Sequence, residues 1–394
     1  MSDMIQNIMN KDTTSAAKKP LPKIGILYDS HYKNTGDKSM GIVMADFLNT
    51  NNIPFTDVSP FAKNKSTYDL LIIGGGQIIR EPADSYYNNF RIWGRHILNT
   101  ADITNAKSLQ FLKDYEYVSV RSSVAVNKLG KNKINAVCVP DICIAMQNKN
   151  TAVKIPKDSV GIHFMPGRSD MDIKKHIEFV KNTTKTNTVV LIPFTHYAGD
   201  YKYLKKIHAA VPKTILLVEL EPQVLFDTIG ELKMLVSMSL HATIFAYSQN
   251  VNFIVAEEPE YKKIGAFLKD RGLQHRIYTD YLSLSNKTKF YLKKQNTNYN
   301  KELSVDKVLL EKHFAKILAI IKNIQLDPKL HALYSEITAI EDAKNSLVQD
   351  LQEAQNKLKD ANLSRKVMAK ELRQIKSTKS WKLVGFINSH LRRK

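Results

Sequence analysis

The chain has 394 residues, of which 43% are hydrophobic and 24% charged, and this length can form two α/β domains with an extension. Its apolar runs fall short of the roughly 18 residues that a membrane-spanning helix needs, and two cysteines exclude a disulfide framework and fit a reducing cytoplasm. The formal net charge of +20 predicts anionic partners.

Composition divides the chain into five segments. Residues 1–20 are polar and lack the apolar core of a signal peptide, so we expect a disordered tail there. Beyond them, short apolar strands alternate with amphipathic helices, the pattern of parallel βαβ units. We expect an N-terminal α/β lobe over 21–145, a C-terminal α/β lobe over 159–325, a coiled coil over 330–376 and a basic amphipathic tail over 377–394.

Two strands of the first lobe end in residues suited to ligand binding. The strand at 23–28 runs into a turn with Asn34 and Asp37 before a helix over 38–49. The alternative role for Asp37 is that of a helix N-cap. The strand that follows ends in three glycines, whose backbone N–H groups are open to a ligand, at Gly74, Gly75 and Gly76. The Lys-Ser/Thr pair of a Walker A motif is absent, which disfavours a nucleoside triphosphatase.

Further strands deliver charged residues to the same rim of each sheet. Arg121 ends the strand at 115–121, and Asp141 ends the strand at 136–141. In the second lobe the apolar strand at 189–194 precedes His196 and Asp200. We expect a helix over 261–271 with Lys263 on its first turn, and a long helix over 304–324 that packs back across both lobes.

The stretch 234–246 combines an apolar strand with a polar cluster at its carboxyl end. Ser239 stands at the expected start of the next helix, and His241 lies on its first turn. Open α/β sheets bind ligands at this place, where free helix N–H groups and the helix dipole favour an anion. The alternative is a core histidine beside capping serines.

The last segments differ in composition from the lobes. An apolar seam with heptad spacing predicts a coiled coil and a homo-oligomer, interrupted only by Lys344 and Arg365. The tail at 380–394 combines Trp381, Phe386 and other apolar residues with flanking Lys and Arg, as interfacial membrane helices do. We expect a cytoplasmic protein, peripheral on the anionic inner face of the cell membrane. The alternative for the tail is a helix that docks on a partner protein.

Six motifs, in order and spacing, resemble the polysaccharide pyruvyl transferase family: NTGD at 34–37, DLLIIGGG at 69–76, SVR at 119–121, VPD at 139–141, LIPFTH at 191–196 and SLHATIFA at 239–246. The resemblance covers roughly residues 23–271. It implies two Rossmann-like lobes like those of GT-B glycosyltransferases, followed by the coiled coil. Family members transfer the enolpyruvyl carbons of phosphoenolpyruvate to two hydroxyls of a sugar, making a pyruvate ketal.

The resemblance and the chemistry together assign roles to the strand-end residues. Protonating an enol ether while deprotonating a hydroxyl needs acid and base groups, and we expect catalysis by His241, His196 and Asp37. The residues expected to bind substrate are Arg121, Ser239, Lys263, Gly74, Gly75, Gly76, Asn34 and Asp141. Phosphoenolpyruvate is the expected donor, with no metal and no cofactor.

Two other functions stay open. Ser239 occupies the position where many family members have arginine, which favours a GT-B-like glycosyltransferase using a sugar nucleotide, or an inactive scaffold. The presence of His196, His241 and Arg121 argues against the scaffold. A nucleic-acid binder is disfavoured, because aromatic residues interleaved with basic ones do not line either lobe.

Overall fold

The computed structural model describes residues 22–28, 34–59, 68–79, 95–103, 109–194, 199–218, 220–256, 262–294, 298–324 and 328–377. The chain divides into two compact units, Met1–His331 and Ala332–Lys394. The predicted tail at 1–20 lies outside the described residues, and so does the predicted tail at 377–394 except for Ser377.

The first lobe holds a six-stranded parallel sheet. Its strands are β1 (Ile24–Leu27), β2 (Phe55–Asp57), β3 (Leu70–Gly74), β4 (His96–Ala101), β5 (Tyr117–Val120) and β6 (Val137–Cys138). They lie in the order β2-β1-β3-β4-β5-β6, so the chain reverses its direction of travel across the sheet between β1 and β3. Helix α1 (Thr35–Thr50) follows β1, and α2 (Ser123–Lys131) follows β5.

The second lobe repeats this design with its own parallel sheet. Its strands are β7 (Val160–Ile162), β8 (Val189–Leu191), β9 (Ile215–Leu216), β10 (Met234–Ser237), β11 (Asn252–Ala256) and β12 (Ile277–Tyr278). The order is β12-β11-β10-β7-β8-β9, with its reversal between β7 and β10. The helices are α3 (Ile173–Thr183), α4 (Asp200–Ala210), α5 (Pro222–Gly230), α6 (Leu240–Ser248), α7 (Lys263–Lys269) and α8 (Tyr281–Lys293).

Apolar patterning explains both sheets and the packing between the lobes. The central strands β3 and β10 are buried throughout, as their continuous apolar sequences require of strands covered on both faces. Helix α6 is buried from Leu240 to Tyr247, which leaves only its last residue partly exposed. One hydrophobic cluster contains Met44 of the first lobe together with Phe245 of the second. The two lobes therefore share a core.

A long helix, α9 (Asn300–Asn323), is the helix expected to pack across both lobes, and it contacts each of them. His313 Nε2 lies 2.7 Å from Asn99 Oδ1 in the first lobe. Asp306 accepts hydrogen bonds from Arg271 Nε at 2.8 Å and from the Tyr247 hydroxyl at 2.9 Å in the second. These buried polar contacts hold α9 in one position relative to both sheets.

The described part of the second unit lies in one helix of 50 residues, α10 (Pro328–Ser377), whose first residues belong to the first unit. It covers the segment predicted to form a coiled coil, and its pairing stays a prediction. None of the helices that the structure describes is long and apolar enough to cross a membrane. The two parallel sheets with their flanking helices and the C-terminal helical region confirm the predicted α/β fold class.

Candidate active site

The ligand-binding positions of the two sheets meet at the contact between the lobes. Doubly wound sheets bind ligands outside the carboxyl ends of the strands, at the point where the strand order reverses. In the first lobe this point is followed by α1, and in the second by α6. Gly36 at the start of α1 packs directly against the ring of His241 on α6, because a β-carbon at Gly36 would overlap the imidazole. Two helix N-termini therefore converge on one place.

Arg121 follows β5 and is buried between two carboxylates. Its Nε and Nη2 atoms donate to Asp102 Oδ2 at 2.7 and 2.6 Å. Its Nη1 atom donates to Asp141 Oδ2 at 2.9 Å. Burial would lower the pKa of Arg121, but both carboxylates raise it above its ordinary value. The guanidinium charge is thus neutralised within the protein.

Asp141 connects this ion pair to His241. Its Oδ1 accepts a hydrogen bond from the backbone N–H of Cys143 at 3.0 Å, and its Oδ2 lies 3.3 Å from His241 Nε2. Burial would raise the pKa of Asp141, but His241, Arg121 and the Cys143 N–H hold it well below its usual range. Asp141 is therefore an ionised carboxylate beside the imidazole.

His241 Nε2 approaches both an acceptor and a donor, which are hydrogen-bonded to each other. Arg121 Nη1 lies 3.4 Å from His241 Nε2, the nitrogen that also approaches Asp141. A protonated Nε2 donates to Asp141, whereas an unprotonated Nε2 accepts from Arg121. His241 Nε2 can therefore form a hydrogen bond either with or without a proton on it.

Asn34 and Asp37 lie at the start of α1. The N-cap is Asn34, whose Oδ1 accepts from the Gly36 N–H at 3.2 Å, so the alternative role of Asp37 as the cap is wrong. Asn34 Nδ2 donates to Asp37 Oδ2 at 2.6 Å. Asp37 Oδ1 is buried and has no hydrogen-bond partner among the described residues. Burial raises the pKa of Asp37, against the opposing charges of His241, Arg121 and Lys263.

The three glycines serve close packing beside Asp37. The ring of Tyr28 occupies the space that a side chain at Gly74 would need, and Asn99 Nδ2 donates to the Tyr28 hydroxyl at 2.6 Å. Gly75 has a φ of 133°, which favours glycine. A β-carbon at Gly76 would lie 3.1 Å from Asp37 Oδ1, and the Gly76 carbonyl accepts from the Asp102 N–H at 2.9 Å.

Lys263 adds a cation to the site from the second lobe. It is the first residue of α7, on the helical turn where the sequence placed it, and is half-buried. Burial and the positive charges of Arg121 and Arg168 lower its pKa to about 8, against the opposing effect of Asp102 and Asp37. The side chain therefore lies within electrostatic range of the site in both lobes.

The other predicted residues of the second lobe have structural partners or lie outside the described part. Ser239 is the N-cap of α6, and its Oγ accepts from the Ala242 N–H at 3.5 Å. Asp200 is buried, where its Oδ2 accepts from the Phe194 N–H at 2.6 Å and lies 3.3 Å from His163 Nε2. His196 lies outside the described residues.

One group in the described part has the donor atoms of a metal site, namely Asp141, Cys143 and His241, within 4.8 Å of one another. The Arg121 guanidinium contacts both Asp141 and His241, so a cation there would face a positive charge. Burial raises the pKa of the Cys143 thiol well above its ordinary value, and metal binding needs the thiolate. This group does not fit a metal ion.

Sequence reasoning missed two charged residues of the site, Asp102 and Arg168. Asp102 follows β4 in the same way that Asp141 follows β6, so its signal was an acid at a strand end. That signal was hidden because β4 carries buried polar residues, Asn99 and Thr100, in place of an apolar run. Arg168 lies in the segment between β7 and α3 and had no motif to mark it.

Comparison with solved structures identifies the class of fold. A putative UDP-N-acetylglucosamine 2-epimerase from Listeria monocytogenes is similar over 77% of this chain and 97% of its own, with a TM-score of 0.51 and 9% identity. An uncharacterized protein from Klebsiella pneumoniae covers 66% of this chain and 93% of its own, with a TM-score of 0.44 and 16% identity. The Anabaena protein HepE, in complex with UDP and glucose, covers 76% and 99%, with a TM-score of 0.44 and 10% identity. The two six-stranded parallel sheets, together with the similarity to the Listeria protein, make this a two-lobed, GT-B-like α/β fold.

The sequence determines the family within this class. The model of the polysaccharide pyruvyl transferase family matches residues 34–257, more than half of the chain. This chain therefore belongs to the polysaccharide pyruvyl transferase family, as its motifs indicated, and is a transferase by family. No curated protein matches its sequence.

Proposed function

We propose that this protein transfers pyruvate from phosphoenolpyruvate to a sugar of a cell-surface glycan or its lipid-linked precursor, as a ketal. The observation that supports this best is the position of His241 Nε2, within 3.4 Å of both Asp141 and Arg121 at the meeting point of the two lobes. An acid–base group near the buried carboxyl of Asp37, whose Oδ1 has no hydrogen-bond partner among the described residues, matches what addition to an enol ether requires.

The reaction balances with two sugar hydroxyls and one phosphoenolpyruvate. The methylene carbon takes up a proton and becomes a methyl group, and the first hydroxyl oxygen bonds to the central carbon. The bond from that carbon to the phosphate oxygen then breaks, and the second hydroxyl oxygen replaces it. Of the two hydroxyl protons released, one balances the new methyl group and the other leaves with inorganic phosphate.

Two residues supply the proton transfers in this proposal. His241 delivers and recovers a proton, since Asp141 stabilises its charged form and Arg121 donates to its neutral form. Asp37 lies on the opposite lobe, and its raised pKa makes its carboxylate a stronger base than an exposed aspartate. We assign Asp37 to the acceptor hydroxyl, and Asn34 with Gly74, Gly75 and Gly76 to the walls of the acceptor site.

The donor's phosphate and carboxylate need cations to bind them. In this proposal Lys263 and Arg168 supply the positive charge that many relatives obtain from an arginine at position 239. Lys263 and Arg168 lie close enough for the charge of Arg168 to lower the pKa of Lys263. Arg121 is neutralised by two carboxylates, so in this proposal it orients Asp141 and His241. Ser239 contributes the capped N-terminus of α6, whose dipole favours an anion.

The test is incubation of the full chain with phosphoenolpyruvate or with separate sugar nucleotides, each with a panel of sugar acceptors. Release of inorganic phosphate, dependent on acceptor and phosphoenolpyruvate, is the expected result. His241→Gln should reduce it by about 100-fold or more, with a melting temperature within a few degrees of the wild type. Release of UDP or another nucleotide would identify a glycosyltransferase, and turnover of neither donor would identify a scaffold.

We further propose that the enzyme acts at the cytoplasmic membrane face, where a lipid-linked acceptor would be found. The support is the composition of residues 380–394, in which apolar residues are flanked by basic ones. This segment lies outside the described residues, so the proposal depends on its sequence.

A further inference from the structure

Helix α10 exposes a row of apolar side chains at heptad spacing. Six large apolar residues of this row are between 53% and 69% exposed: Ile340, Leu347, Leu351, Leu358, Met368 and Leu372. They occupy a and d positions, with Ala354 and Ala361 completing the central layers. A stripe of this length is a helix-pairing surface, and a second copy of the same helix carries the matching spacing.

Charge is distributed unevenly along this helix. Residues 336–353 contain five acidic residues and one basic residue, whereas residues 357–376 contain seven basic residues and two acidic ones. Two copies side by side in the same direction would place like charges together along both halves. Two copies in opposite directions place the acidic half of each beside the basic half of the other.

We propose that α10 pairs with α10 of a second copy in the antiparallel orientation. The register that places Leu351 level with Ala361 of the partner subunit also places residues 336–353 alongside residues 359–376 of the partner subunit, so the acidic half of each helix lies beside the basic half of the other. In that register Lys344 faces Met368 of the partner subunit, and no seam layer holds two cations. In a parallel pair Lys344 would face its own copy within the seam, and so would Arg365.

Side-chain size in the central layers supports the same register. Leu351 faces Ala361 of the partner subunit, and Leu358 faces Ala354 of the partner subunit, so each large residue meets a small one. A parallel pair would set alanine against alanine in both of its alanine layers and leave space between the helices. Three independent features therefore favour the antiparallel orientation. They are the distribution of charge along the helix, the positions of Lys344 and Arg365 in the seam, and the sizes of the side chains that face each other in the central layers.

The experiment measures distances between spin labels in the full chain. Asn356→Cys and Lys370→Cys place one label each on the exposed outer face of α10. In the antiparallel register, residue 356 lies at the same level along the axis as its own copy. Residue 370 lies 28 residues from its copy along the axis, about 42 Å at 1.5 Å per residue. The expected result is a short distance at 356 and about 42 Å at 370.

The wild-type chain, labelled in the same way, controls for signals from Cys138 and Cys143. Short distances at both positions would mean a parallel pair and overturn the proposal. A monomer by light scattering, without distances between chains, would overturn it as well. Neither measurement depends on enzymatic activity, so the orientation of α10 is tested independently of the proposed function.

Discussion

Gly36 allows the start of α1 to lie against the imidazole of His241, and this contact gives a test that separates catalysis from folding. In Gly36→Ala the new β-carbon overlaps the ring and moves it away from Asp141, so we expect kcat/KM to fall by about 100-fold. Helix propensity favours alanine by about 1 kcal/mol, which limits any loss of stability.

The matched control is Gly41→Ala in the same helix, where the nearest atom would lie 3.4 Å from the new carbon. It shares the gain in helix propensity without meeting His241. Kinetics and thermal melting on both variants decide the question. Normal activity in Gly36→Ala would mean that the ring position is unimportant for turnover.

Lys263 predicts a pH dependence for the binding of the donor. Its pKa is lowered to about 8, so the side chain is charged below that pH and loses its charge as the pH rises through it. If the ammonium binds the donor's anionic groups, kcat/KM for phosphoenolpyruvate falls above about pH 8. A bound anion raises the lysine pKa, so the corresponding fall in kcat lies at higher pH.

Lys263→Met should lower kcat/KM and abolish this alkaline limb. Lys269→Met, an exposed lysine at the end of the same helix, serves as the control and should keep the limb. A profile in which Lys263→Met still shows the limb would assign the titration to another group.

At the level of the elements, the sequence predicted the strands whose apolar pattern is visible within their own residues. The strands β1, β3 and β10 were recognised within a few residues because they are continuous apolar runs. Strand β4 was not, since Asn99 and Thr100 interrupt its pattern. Asn99 is buried because it bonds to Tyr28 and to His313, residues 71 and 214 positions away. Partners so distant in sequence leave no local signal.

The same distinction applies to the candidate site. Strand ends predicted that Arg121, Asp141 and His241 lie on converging rims, and the structure brings them into contact. The sequence could not tell that two carboxylates neutralise Arg121, because Asp102 belongs to the missed strand. It also placed Asp200 at a ligand rim, where the structure shows it buried against His163.

The seam of α10 offers a prediction at the scale of one helix. Replacing Lys344 and Arg365 together by leucine removes the only cations among the seam positions of residues 340–372, so the dimer should tighten by about tenfold or more. Without these cations a parallel pair no longer places like charges together in the seam. The label at residue 370 should then report an additional short distance.

Lys359→Leu with Lys366→Leu is the control, because it removes the same two charges from positions outside the seam. Sedimentation of diluted samples compares the dimers. An equal effect in both double variants would show that net charge, and not the seam, limits pairing.

For the whole molecule, the last 15 residues predict binding to anionic membranes. Basic residues near an acidic surface contribute on the order of 1 kcal/mol each, and the apolar residues add burial at the headgroup boundary. In flotation assays the full chain should remain with anionic vesicles, detach as salt rises, and fail to bind when it ends at Thr378. Equal binding to neutral vesicles would remove the electrostatic contribution, and no binding to either would favour a protein partner for the tail.

The burial of α6 on every face has a consequence for how the enzyme fails when heated. His241 lies on a helix whose first eight residues are all buried, and the turn after Asp141 lies in the same hydrophobic cluster. The geometry of the candidate site therefore has no local melting step of its own, since unfolding α6 or the turn after Asp141 opens the core that joins the lobes. Thermal inactivation and loss of tertiary structure become a single event, and an inactivated molecule is an unfolded one.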